Sequence, residues 1–262
     1  MIATRASDGQ PPPDQMIREV LQGARAILDS RLIGLYLTGS LVYGDYDPGV
    51  SDIDLTAVLK CDLTEPEFRA LKQMHHDLAT RFPAWDDRIE VCYVPASALK
   101  NVRTDLRRIA NISPGEPFHW TPLRPEWVVN WYDLRQQGQI VTGPDPSQVI
   151  APIARDEFVQ CLVEHARSWN TWIDHMTRRQ QQAYAILSMC RALYGVEFQR
   201  QVSKREAAIW AAEHVPEWAG LIQQAMQWRL SPKHLDIDHT ATRQDTRRFI
   251  HEVSQLVAAR AD

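Results

Sequence analysis

The chain has 262 residues, 44% of them hydrophobic and 24% charged, with a formal net charge of −4 and a pI near 6.1. Those values exclude a disordered or collagen-like chain, and at this length the core is expected to divide into two domains. They also supply no overall basic field to hold a nucleic acid by counterion release, so no nucleic-acid partner is expected.

Residues 1–14 are polar and include Pro11, Pro12 and Pro13, a composition that reads as a flexible tail. The first residues lack the apolar segment of a signal peptide. No apolar run approaches the roughly 20 residues that span a bilayer, so a cytoplasmic protein with no membrane partner is expected. The cysteines, Cys61, Cys92, Cys161 and Cys190, form no C-x-x-C pair and read as reduced thiols.

From Gln15, "QMIREVLQGARAILDSR" places Ile17, Val20, Leu21, Ala24, Ile27 and Leu28 at helical spacing. "LIGLYLTG" then reads as a buried strand stopped by Gly39, and "GDYDPGVS" as a turn cluster. In "DIDLTAVLK", Ile53, Leu55, Ala57 and Leu59 share one face of a second strand, and Asp52 and Asp54 share the other. "TEPEFRALKQMHHDLATRF" opens with Thr64 and Glu67 in capping-box spacing and continues as a helix. Its adjacent His75 and His76 point in different directions, which argues against a metal site. "RIEVCYVPASAL" is a third strand, with Glu90 near its start.

Helix, strand, strand, helix, strand is an α/β arrangement on a small mixed sheet. Residues 101–150, rich in proline, read as irregular, with His119 and Trp120 in a loop. The Pro-rich "GPDPSQVIAPI" marks a boundary. From Arg155 onward "RDEFVQCLVEHARSWNTWIDHM", "QQAYAILSMCRALYG" and "KREAAIWAAEHV" carry helical periodicity. The expected organisation is a tail over 1–14, an α/β domain over 15–150 and an all-α helical bundle over 151–262.

Asp52 and Asp54 interrupt the most apolar part of the chain. Residues two apart on a strand point the same way, so two carboxylates enter one small volume and need a cation. Paired carboxylates with phosphate oxygens and waters are the ligand set Mg²⁺ prefers. Gly39 and Ser40 end the preceding strand in a tight turn, where backbone N–H groups and a hydroxyl can approach phosphate. Glu90, on another strand, offers a third carboxylate. Such a triad can hold one or two Mg²⁺ ions and take a proton from an acceptor hydroxyl, which is the chemistry of phosphoryl or nucleotidyl transfer.

Gly39-Ser40, a gap, then Asp52-Ile53-Asp54, with Glu90 downstream, resembles the signature of the DNA-polymerase-β-like nucleotidyltransferase superfamily. "GQIVTGPDP", "AYAILSMCRALYG" and "VSKREAAIWAAEHVPEW" resemble the helical domain of the aminoglycoside (3'')(9) adenylyltransferases, which modify streptomycin and spectinomycin. The resemblance runs from about Leu32 to Trp228. It implies that Asp52 and Asp54, with Glu90, bind Mg²⁺, and that Glu90 is the catalytic base. It further implies that Gly39, Ser40 and Ser51 contact the phosphates of ATP, that Arg191 and Lys204 grip the triphosphate, and that ATP and acceptor meet in an interdomain cleft.

The expected activity is ATP- and Mg²⁺-dependent adenylylation of a small hydroxylated acceptor, first an aminoglycoside or aminocyclitol, by a monomer that releases pyrophosphate. One departure bears on the acceptor. The antibiotic-modifying members carry acidic residues shortly before the arginine that Arg191 matches, where this chain has Arg178, Arg179, Gln180, Gln181 and Gln182. Asp174, Glu164 or Glu157 could supply that charge, and Trp120, Trp169 or Trp172 could wall a pocket. A non-antibiotic acceptor therefore stays open, as does a regulatory nucleotide-binding module; RNA terminal addition is disfavoured by the net charge.

Overall fold

The computed structural model describes residues 11–100, 107–124, 127–176, 178–230 and 240–261. The chain forms two compact units, residues 1–152 and 153–262.

The first unit opens with α1 (Pro13–Leu28), whose Pro13 occupies a first-turn position where no N–H is needed. Of the expected tail, residues 1–10 lie outside the described residues, and the Pro11 carbonyl accepts a 2.9 Å hydrogen bond from the Trp85 indole. There follow β1 (Leu32–Thr38), α2 (Gly39–Tyr43), β2 (Ile53–Leu59), α3 (Glu65–Arg81) and β3 (Ile89–Pro95). The Thr64–Glu67 capping box forms as expected. β2 and β3 pair in parallel, with α3 as the crossover that a parallel pair requires.

Residues 101–150 do not form the irregular stretch expected of them. They contain β4 (Arg108–Ser113), β5 (Glu116–Pro122), α4 (Trp127–Gln137), β6 (Gln139–Thr142) and α5 (Pro146–Val149), with 101–106 and 125–126 outside the described residues. The prolines that suggested irregular chain punctuate structure instead. Pro114-Gly115 is the tight turn joining β4 to β5, with Gly115 at φ +83°, which a side chain would disfavour. Pro117 and Pro122 lie on β5, an edge strand that can spare a ladder N–H. The resulting mixed sheet has six strands in the order β5-β4-β3-β2-β1-β6.

One face of this sheet carries Leu35, Leu37, Ile53, Leu55, Ala57, Leu59, Val91 and Tyr93, packed with Met16, Val20 and Ala24 of α1 and Leu71 and Leu78 of α3. His75 of α3 is buried here, with Nε2 2.9 Å from the Tyr93 hydroxyl and its ring stacked on Phe118 at 5.4 Å. Burial pushes its pKa down to about 3, so it is a neutral core residue. Trp120 also packs inward, stacked on Phe68 at 4.6 Å, so it belongs to a strand and not to the loop in which it was expected.

The second unit is all-α: α6 (Arg155–Trp172), α7 (Arg179–Phe198), α8 (Lys204–His214), α9 (Ala219–Arg229) and α10 (Thr240–Ala259). α7 contacts the four other helices and is apolar nearly all round, the pattern of a central helix. Gln182, fully buried in α7, accepts from the hydroxyls of Thr242 at 2.8 Å and Thr246 at 3.1 Å, which ties α10 to the bundle centre. None of the four cysteines is in a disulfide. Among the described residues no helix is long and apolar enough to cross a membrane.

Candidate active site

The parallel ladder places Asp54 beside Glu90, and the antiparallel ladder places Thr38 beside Asp54. Neighbouring strands lie about 4.8 Å apart, so two carboxylates reach one volume by backbone geometry alone. Asp52 precedes β2 by one residue and joins them. One carboxylate oxygen from each of Asp52, Asp54 and Glu90 lies within 4.8 Å of the others, and all three residues are partly exposed. Like charges this close repel by roughly 1–3 kcal/mol per pair at effective dielectrics between water and about 20, which a divalent cation reverses.

The donor set fits Mg²⁺. Its octahedral sites use hard oxygens about 2.05 Å from the ion, so ligand oxygens fall about 2.9 to 4.1 Å apart, a modest contraction from this arrangement. Two further features lie at the same edge. Gly39 has φ +71°, and a Cβ there would sit 2.6 Å from Asp54 Cγ, so only glycine lets the turn close onto the carboxylate. Beside it, the Ser40 hydroxyl is buried with no hydrogen-bond partner, a polar group that native structures rarely leave unsatisfied unless something else binds it.

Ser51, expected to contact phosphate, is bonded within its own loop. It is 4% exposed, its Oγ accepts from the Asp47 N–H at 2.9 Å, and its own N–H donates to the Asp47 carbonyl at 2.9 Å. It closes the loop that delivers Asp52. Behind the triad, Cys92 is fully enclosed; burial, and then the charge of Glu90, hold its thiol well above the usual range, so it stays protonated.

Sequence reasoning missed Arg88, Tyr46 and Trp85. Arg88 is buried, lies over the Trp85 ring at 4.5 Å and donates to the Ser51 carbonyl and to the Tyr46 hydroxyl at 3.2 Å. Burial raises the Tyr46 pKa, Arg88 opposes that rise, and the Asp52 charge adds to it. An arginine two residues before Glu90 was the available signal, and its meaning depended on a fold that brings the 45–51 loop against it.

In the helical unit, Arg191 lies on α7 with Nε donating to Gln201 Oε1 at 3.1 Å, and Lys204 begins α8 with its ammonium 4.3 Å from the centre of the Tyr184 ring. The helices that carry them touch. The residues expected to supply acceptor-binding acids divide. Asp174 is ion-paired to Arg247, and its carbonyl accepts from Arg243 at 2.6 Å; Glu164 accepts from Gln160 at 3.2 Å, and Glu157 is half-buried. Of the tryptophans, Trp169 is buried and Trp172 is 43% exposed.

The family described as nucleotidyltransferase domain matches residues 17–113. The family described as aminoglycoside adenylyltransferase, C-terminal domain, matches residues 148–255. The chain belongs to the aminoglycoside adenylyltransferase-like nucleotidyltransferases. It is an enzyme of the nucleotidyltransferase class, and the carboxylate triad sits inside or at the matched first region. Among solved structures it is similar to the spectinomycin adenyltransferase AAD(9) from Enterococcus faecialis, crystallised with ATP and spectinomycin. The match has 15% identity and a TM-score of 0.75, and covers 94% of this chain and 100% of that one. At that identity the likeness establishes the fold. No curated protein sequence matches the chain.

Proposed function

We propose that this enzyme transfers the adenylyl group of ATP to a hydroxyl of a small acceptor, releasing pyrophosphate, with an aminoglycoside or aminocyclitol such as streptomycin or spectinomycin as the first acceptor class. The observation that carries the reading is the convergence of Asp52, Asp54 and Glu90 beside the Gly39-Ser40 turn. Asp52 and Asp54, with Glu90, would hold Mg²⁺, which supplies charge neutralisation and orientation of the phosphates. Glu90 takes the proton of the attacking hydroxyl. The Gly39 backbone and the Ser40 hydroxyl bind phosphate oxygens, and Ser51 serves them by shaping the loop before Asp52. Arg191 and Lys204 offset the charge that builds on the departing pyrophosphate.

A second reading concerns the acceptor only. Asp174 is ion-paired to Arg247, and Gln182 is bonded to Thr242 and Thr246, while the stretch before Arg191, where the resemblance leads one to expect acids for a cationic drug, carries Arg178, Arg179 and glutamines. This favours a less cationic polyhydroxylated acceptor for the same chemistry. ATP dependence and free cysteines fit a cytoplasmic protein under either reading.

The test is incubation with ATP and Mg²⁺ against streptomycin, spectinomycin, other aminoglycosides and neutral polyols, with mass spectrometry of each acceptor. A mass increase of one adenylyl group on an aminoglycoside supports the first acceptor class, and on a neutral polyol the second. ATP that binds while every acceptor stays unmodified overturns both.

A further inference from the structure

Three carboxylates form the triad, and the fold positions them unequally. Asp54 and Glu90 are partners in a β-ladder, so backbone pairing alone fixes their separation. Asp52 lies outside the strand, at the end of the 45–51 loop, and ladder pairing does not reach it. A further holder is needed if its carboxylate is to share a cation with the other two.

Arg88 meets that need. Its Nε and Nη2 both donate to the Ser51 carbonyl, at 3.1 and 2.6 Å, while Nη1 donates to the Ala84 carbonyl at 3.1 Å and Nη2 to the Tyr46 hydroxyl at 3.2 Å. These are all neutral oxygens, although the residue is only 7% exposed. A buried cation without a carboxylate partner is unfavourable beside an apolar side chain of the same volume, so stability alone does not account for an arginine here. A two-donor fork on one carbonyl does something an apolar side chain cannot. The peptide unit is planar, so fixing the Ser51 carbonyl fixes the nitrogen and Cα of Asp52. On the far side, the Ile53 N–H donates to the Arg88 carbonyl at 3.0 Å. One residue thus grips the chain both before and after Asp52, and the guanidinium lies over the Trp85 ring at 4.5 Å.

We infer that Arg88 is the positioning residue for Asp52, setting that carboxylate where the three acids can share one divalent cation; the inference rests on the metal-binding reading proposed above. Its role is confined to geometry, since its side chain is turned onto the loop backbone and not toward reacting atoms.

The test is Mn²⁺ binding to the full chain without ATP, followed by electron paramagnetic resonance at neutral pH well below the unfolding temperature. Arg88→Met is expected to weaken Mn²⁺ affinity about 10-fold, the lower end of what supporting residues of metal sites contribute. Arg88→Lys, which keeps the charge and loses the fork, is expected to fall between it and the wild type. Arg81→Met removes an ion pair to Glu19 and a contact over Phe82 at the end of α3, and is expected to bind Mn²⁺ as the wild type does. Wild-type affinity in Arg88→Met, or an equal loss in Arg81→Met, overturns the inference. If Arg88→Met does not fold, wild-type affinity in Arg88→Lys overturns it instead. A wild type that binds no Mn²⁺, or an Asp52→Asn variant that binds it equally well, shows instead that the triad is not the metal site and removes the reading on which the inference rests.

Discussion

The two faces of the N-terminal sheet treat ionisable side chains in opposite ways. On the face packed by α1 and α3, His75 is sealed among Tyr93 and Phe118 and driven to its neutral form, with a pKa of about 3. At the other side of the same β2–β3 pair, Asp52, Asp54 and Glu90 are crowded together yet left partly open to water. A buried titratable group can be made harmless by removing its charge. Three converging carboxylates kept in contact with solvent retain their charge, and under the proposed function that charge holds a cation.

The largest expected effect is at the open face. Asp52→Asn or Asp54→Asn should lower turnover about 10³-fold or more, because under the proposed function each removes a charged ligand of the metal, while thermal unfolding stays close to wild type or rises as like-charge repulsion is relieved. A steady-state assay beside a melting curve checks both. Next is Gly39→Ala. The φ of +71° and the overlap with Asp54 should displace the carboxylate, with about 10²-fold loss of activity and about 1–2 kcal/mol of stability; activity retained at wild-type level would mean the turn does not need to touch Asp54.

The buried face predicts a pH effect without a change in chemistry. The folded pKa of His75 lies below its unfolded value of 6.5, so the unfolded chain binds the extra proton first. Stability is fully present above about pH 6.5 and falls as the pH drops toward about 3, by about 1.4 kcal/mol per unit within that window. Between pH 6.5 and 5 the wild type should lose about 2 kcal/mol more than His75→Gln in denaturant titrations; parallel losses would show that His75 titrates normally. The smallest effect is expected at an exposed charge on the same helix: Arg69→Ala, which breaks an i,i+4 pair with Glu65, should change stability by less than about 0.5 kcal/mol.

What could be read from the sequence follows from how local each signal is. The capping box at Thr64, the strands holding Asp54 and Glu90, and the helical half from Arg155 were legible because periodicity and caps act within a few residues. Gly39 was legible as the residue that stops β1, while the short helix α2 that it opens was not, and its fit against Asp54 needed the β1–β2 register. β4 and β5 were lost because prolines at a hairpin turn and an edge strand look like loop until the edge is known. Arg88 was lost because its partners Ser51 and Tyr46 lie 37 and 42 residues away, and no local pattern announces a contact of that range. The buried turn geometry of Ser51, with its hydroxyl on the Asp47 N–H, came only from the coordinates.

The most direct measurement is pyrophosphate release from ATP and Mg²⁺ with the acceptor panel, run on wild type, Asp52→Asn and Glu90→Gln together with ATP binding. The wild type should release pyrophosphate only when an acceptor is present, and Asp52→Asn should be silent. Glu90→Gln should bind ATP almost normally and release essentially none. Full turnover in Glu90→Gln, or release unaffected by Asp52→Asn, would contradict the assignment of this triad as the catalytic centre.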